Sequence, residues 1–188
     1  MVVGFSEAKA SDHASCQIPL APSAWDKIYN YMIKTVQLSI LGTYTDKILS
    51  TLPNVSGLYF VYKEDENGLK KLLYIGEAEN INNRLNGNHE KRREWNLHLL
   101  PGEQSKIVYL VLTSQDVLSP TLRRDVENAC IFKVHPPLNT QGKSEFSYSG
   151  IMQIVFKGIV PDGFERRFIM IGWYSKKMNY LRQLFRRS

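Results

Sequence analysis

The spacing of apolar and polar positions changes along the chain, and each change marks an element. Residues 1–22 carry Ser, Ala, Gly and two prolines without sustained periodicity and read as a loose arm. From Ser23 the apolar positions Trp25, Ile28, Tyr29, Met32 and Ile33 recur at three- and four-residue spacing, which predicts a helix capped by Ser23 and stopped at Gly42. Thr45 then caps a shorter helical segment whose face is Ile48, Leu49 and Leu52, ending at Pro53. Beyond it the period becomes that of a strand. Gly57 to Tyr62 is aromatic and β-favouring, Asp65-Glu66-Asn67-Gly68 is a turn, and Leu72 to Ile75 resumes the apolar run, so this stretch predicts a β-hairpin.

Helical spacing returns with Ile81 and Leu85, followed by a polar, basic segment from His89 to Trp95. Ile107 to Leu112 reads as a third strand. Ser119 before Pro120 opens a helix with a capping residue and a proline at its first position, and Pro136-Pro137 ends it after about Val134. Further strands are expected at Ile151 to Phe156 and Phe168 to Trp173, then a basic amphipathic helix from Ser175 to Arg187.

This order gives an α+β fold: a small core with a hairpin and third strand flanked by helices, extended by N-terminal helices and a C-terminal β/α segment. The divisions it suggests are an arm over 1–22, a helical extension over 23–54, a core over 55–141 and a C-terminal extension over 142–188. A length of 188 residues with 43% hydrophobic content suits one domain with extensions. Cys16 and Cys130 make no disulfide framework and no metal-ligand spacing, and Cys130 reads as a buried thiol. No signal peptide or membrane-spanning run is visible, so a soluble, cytoplasmic protein is expected, with no membrane partner.

Charge is distributed unevenly. The net formal charge is +6, and Glu165 to Ser188 holds seven basic residues against one acidic, so the rest of the chain balances. A basic tail on a neutral body points to a polyanion or to an ordinary solvated helix face.

Several polar residues sit where packing alone would not put them. Tyr59 and Tyr74 lie inside the apolar runs of the two hairpin strands, as core tyrosines or as hydroxyl donors. Arg84 flanks the Ile81/Leu85 stripe, so its guanidinium faces either solvent or the hairpin. Glu127 falls on the helix side shared by Cys130, Ile131 and Val134. Its carboxylate there needs a cation or strong donors, or else a salt bridge to Arg123 or Arg124 one turn away.

Taken in order, Gly57-Leu58-Tyr59, Tyr74-Ile75-Gly76, Arg84, Glu127 and Asn139 resemble the GIY-YIG endonuclease superfamily, over residues 55 to 141. The segment from Tyr74 through Glu77-Ala78-Glu79-Asn80 to Leu85 is similar to the strand-to-helix segment of excision-repair and restriction members, and Glu127 to Asn139 to their metal helix and its exit.

The resemblance implies a divalent-metal-dependent DNA endonuclease. In it Tyr59 would activate or hold a water, and Arg84 and Tyr74 would donate to the phosphate. Glu127 would be the one direct protein ligand to a single Mg²⁺ or Mn²⁺, and Asn139 would orient backbone or substrate. Gly57 and Gly76 would permit close backbone approach, or serve simply as turn glycines. One departure concerns the family's histidine or tyrosine four residues beyond the arginine. Here Asn88 holds that place and His89 follows, either exposed or brought in as a proton shuttle or phosphate donor.

DNA affinity is expected from Lys91, Arg92 and Arg93 beside Trp95, and from Lys176, Lys177, Arg182 and Arg186 among Tyr174, Tyr180 and Phe185. The compact layout resembles stand-alone restriction-type members, for which a palindromic target would call for a homodimer. A repair or mobile-element nuclease and a non-catalytic nucleic-acid-binding module are the alternatives.

Overall fold

A computed structural model describes residues 33–87, 89–99, 104–142, 146 and 148–172. Strands β1 (Ile33–Thr45), β2 (Gly57–Glu64), β3 (Lys70–Ala78), β4 (Lys106–Thr113), β5 (Ile151–Lys157) and β6 (Arg167–Ile171) form one sheet in the order β3-β2-β4-β1-β5-β6. Every neighbouring pair is antiparallel except β1 with β5. Helices α1 (Ile81–Asn86), α2 (Arg92–Asn96) and α3 (Pro120–Val134) complete the α+β architecture.

The helix expected to run to Gly42 is corrected from Ile33 onward, where the chain is β1. Helical spacing ends at Ile33. Beyond it Val36 and Leu38 are buried while Thr35 and Gln37 are exposed, a period of two that only a strand can satisfy. Gly42 does not stop a helix. It lies at a register shift against β4, where Leu41 is the extra residue. The next segment, Asp46–Thr51, is a 3-10 turn with a kink at Ile48, and Thr45 makes no side-chain cap. Its Leu49 and Leu52 are buried as their spacing suggested.

Elsewhere local chemistry and structure agree. In the β2–β3 turn the Asp65 carboxylate accepts from the backbone N–H groups of Asn67 and Leu69, and Gly68 takes a positive φ of 78°. Ser119 Oγ accepts from the Leu122 N–H at the start of α3, and His135 closes the helix in the left-handed region at φ 50°. The expected strand end at Trp173 and the basic helix over 175–187 lie outside the described residues.

The sheet is covered on both faces. On one, Phe60, Ile75, Leu112, Met152, Ile154 and Phe156 pack with Val126, Ala129 and Cys130 of α3. On the other, Tyr59, Val61, Leu73, Tyr109 and Val111 pack with Leu49, Leu52, Ile81, Leu85 and Trp95. Strand β2 is central to both cores, so it reads as an unbroken apolar run and has no solvent face. Among the described residues no helix is long and apolar enough to cross a membrane.

Candidate active site

Tyr59 is the centre of the site. It sits on β2 opposite Gly76 of β3 and is 1% exposed. A Cβ on Gly76 would collide with the Tyr59 ring and hydroxyl, so glycine here is required by close approach across two strands and has no turn to make. The same holds for Gly57, where a Cβ would meet the Leu112 carbonyl.

His89 reaches Tyr59 from the other side. Helix α1 ends at Asn86 with Gly87 as its C-cap, and the turn that follows, not helical spacing, delivers the imidazole. The reading of His89 as exposed is therefore corrected: the residue is 3% exposed, because its ring lies 4.4 Å from that of Trp95 and edge-on to Tyr59 and Tyr74. The Lys91 backbone N–H donates to His89 Nδ1 at 3.1 Å, while Nε2 lies 2.8 Å from the Tyr59 oxygen. Burial first, then Arg84, Arg92 and Lys91, depress its pKa to about 4. A neutral imidazole that accepts at Nδ1 carries its proton on Nε2, so His89 donates to Tyr59.

Arg84, in the last turn of α1, lies near enough to Tyr59 to oppose the rise of its pKa, and its Nη2 lies 3.4 Å from Glu90 Oε1. The Tyr59 and Tyr74 rings lie 6.2 Å apart, tilted by 32°. Burial raises the Tyr59 pKa, with Tyr74 and Glu127 adding to the rise and Arg84 opposing it. The resting side chain is a phenol. Tyr74, half-buried, is raised for the same first reason, with Glu127 next.

Glu127 projects from α3 toward β3. Burial, then the Glu77 carboxylate, pushes its pKa up to about 7, against the Glu77 backbone hydrogen bond, Arg124 and Arg84. The proposed salt bridge to Arg123 does not form, because Arg123 Nε pairs with Glu77 Oε2 in a buried bond. No ion pair engages Glu127 among the described residues. The sequence offered Arg123 as a partner for Glu127 and did not pair it with Glu77. The visible signals are a carboxylate interrupting the apolar run of β3 and an arginine one turn before Glu127 on the same helix side.

Asn139 is buried and clamps Ile75. Its Nδ2 donates to the Ile75 carbonyl at 2.8 Å and its Oδ1 accepts from the Ile75 N–H at 2.9 Å, while the Leu138 N–H donates to the Leu73 carbonyl. The exit of α3 thus pairs with β3 and ties Glu127 to Tyr74. Asn139→Ala leaves both Ile75 groups unpartnered, and urea unfolding should show a loss of about 2–4 kcal/mol.

Of the basic candidates, Lys91 pairs with Glu94 at 2.8 Å and Arg93 is exposed. Arg92 turns inward, with Nε and Nη2 buried. Lys176, Lys177, Arg182 and Arg186 lie outside the described residues.

No group of three or more His, Cys, Asp or Glu side chains suited to a metal occurs among the described residues. The donor set still fits a hard cation of the Mg²⁺ kind. Glu127 is a half-buried carboxylate facing a second one, and such an ion needs only one or two carboxylates when it keeps its waters.

Over 105 residues the chain is 29% identical to UvrABC system protein C of Campylobacter jejuni subsp. doylei, an alignment covering 53% of this chain and 16% of that protein. The chain therefore spans about a sixth of the length of this curated relative. No protein-family profile matches the chain, and no solved structure does.

Proposed function

We propose that the protein is a divalent-metal-dependent DNA endonuclease of the GIY-YIG kind. The observation that carries this reading is convergence. Residues far apart in sequence meet around one phenol: His89 Nε2 lies 2.8 Å from the Tyr59 oxygen, the Tyr74 ring packs against the rings of both, and Arg84 and Glu127 lie near enough to act electrostatically on both tyrosines. The likeness to UvrABC system protein C supports a nuclease role in DNA repair alongside the restriction-type reading.

In this account Arg84, partly exposed and held only by a long contact to Glu90, exchanges that contact for two non-bridging phosphate oxygens. Tyr74 adds a hydroxyl donor to the same phosphate. Tyr59 holds the attacking water by its oxygen, which Arg84 and His89 bias toward negative charge. Glu127 would hold the cation, which when bound neutralises phosphate charge and stabilises the leaving oxygen. Asn139 keeps the Tyr74-Ile75-Gly76 backbone in register beneath them.

Tyr59→Phe and Arg84→Ala are expected to lower cleavage by about 10²- to 10³-fold while DNA binding in a filter or anisotropy assay changes far less. Equal loss of binding and cleavage, or cleavage untouched by either change, contradicts the proposal. End-mapping of products separates the settings: fixed ends mark a restriction-type enzyme, which also requires a dimer for double-strand cuts, and scattered or structure-directed nicks mark a repair-type one.

A further inference from the structure

Helix α1 is tied to the rest of the fold by the amides of its own side chains. Three of its six residues are asparagine, a weak helix former, and so short a helix is marginal on its own. Ile81 and Leu85 bury one stripe of it in the core that holds Tyr59, but apolar contact has no direction and leaves the helix free to roll about its axis. On one flank of that stripe Asn82 Nδ2 donates to the Leu52 carbonyl, and Asn86 Nδ2 donates at 2.9 Å both to the Leu49 carbonyl and to Asn82 Oδ1. At about 100° per residue, Arg84 lies on the opposite flank. The Ile81 N–H adds a bond to the Val55 carbonyl at 2.9 Å. These carbonyls belong to the connection between β1 and β2, which is itself fixed: Leu49 and Leu52 are buried in the same core, and Tyr109 of β4 donates to Asp46 Oδ1 at 2.8 Å.

We propose that Asn82 and Asn86 are positioning residues: through them the β1–β2 connection sets the roll of α1 and the place where it ends, and so aims Arg84 and His89 at Tyr59. Hydrogen bonds to carbonyls are directional, so they fix the rotation that Ile81 and Leu85 leave open. The end of the helix matters because His89 is reached from it. The Gly87 N–H closes α1 on the Asn83 carbonyl at 3.0 Å, the His89 N–H bonds back to the Gly87 carbonyl at 2.9 Å, and His89 Nε2 lies 2.8 Å from the Tyr59 oxygen. Asn86 anchors the last residue before that turn. The consequence for cleavage rests on the roles of Arg84 and Tyr59 proposed above, whereas the placement of α1 does not.

Amide hydrogen exchange of the full chain reads the placement of α1 without reference to cleavage. The Trp95 indole N–H signal, which is the one absent in Trp95→Phe, reports on the His89 ring 4.4 Å away. In Asn82→Ala and in Asn86→Ala the Arg84 and Gly87 amides should exchange about tenfold faster and the Trp95 signal should shift, while β2 and β4 keep their wild-type protection. Alanine is the better helix former, so helix propensity alone predicts the opposite sign. Asn83→Ala changes an exposed asparagine on the outward side of the same helix and should leave exchange, the Trp95 signal and cleavage at their wild-type values. On DNA with Mg²⁺, Asn82→Ala and Asn86→Ala should each lose about 10²-fold in kcat with KM within about threefold of wild type. Unchanged exchange in both variants, or faster exchange spread equally over the sheet, overturns the proposal, as does a loosened α1 with kcat at the wild-type value. The expected exchange in a protein whose wild type never cleaves DNA supports the clamp and contradicts the nuclease reading instead.

Discussion

Glu127→Gln is expected to abolish strand cleavage, by about 10³-fold or more, and at the same time to stabilise the metal-free protein at neutral and alkaline pH. Both effects have one cause, a carboxylate held in a poorly hydrated place beside Glu77. Folding raises its pKa from 4.5 to about 7, so between those values the folded chain keeps a proton that the unfolded chain has released. The associated stability is fully present below about pH 4.5 and is lost as pH rises through about 7. Glutamine is neutral throughout. At about pH 8 the variant should therefore resist urea better than wild type, by on the order of 3 kcal/mol, and near pH 4 the two should coincide. A variant that follows the wild-type pH dependence shows that Glu127 is not a strained carboxylate, and one that still cleaves shows that it holds no essential cation.

Gly76→Ala carries the second large effect. The backbone at Gly76 does not demand glycine through a positive φ. The restriction is the Tyr59 ring and hydroxyl, which occupy the space of the missing Cβ. Forcing a methyl group into this packed contact costs about 1–3 kcal/mol. It also pushes the phenolic oxygen away from Arg84 and His89, and a displacement of about 1 Å at a reacting centre lowers rate by about 10²-fold. Melting curves and cleavage rates on the same preparation check both. A variant that melts lower yet cleaves at the wild-type rate would separate Gly76 from the chemistry.

Local features were legible in the residues because local chemistry creates them. The Asp65 turn, the Ser119-Pro120 helix start and the proline stop after Val134 each rest on side chains within a few positions of the backbone they satisfy. Strand β1 was misread because the helical spacing through Ile33 runs into an alternation that begins only at Val36. Nonlocal pairing, with β4 on one side and β5 on the other, extends the strand back through Ile33, where the local alternation is absent. The sheet order was unreadable for the same reason.

The site divides in the same way. Tyr59, Tyr74, Arg84, Glu127 and Asn139 were singled out by motif, and the structure places them around β2 and β3. That Asn139 clamps both polar groups of Ile75 depends on how α3 exits against β3, which spacing does not contain. His89 was ambiguous because its approach depends on the helix ending at Gly87. Arg92, grouped with Lys91 and Arg93 as a surface contact, is turned inward by the burial of Trp95 on the same short helix.

The central claim is chemical, and supercoiled plasmid tests it most directly. Purified full-length protein with Mg²⁺ or Mn²⁺ should convert supercoiled DNA to nicked or linear forms, chelator should stop the conversion, and Glu127→Ala should not support it. No strand scission with either cation, with wild type indistinguishable from Glu127→Ala, would contradict the account.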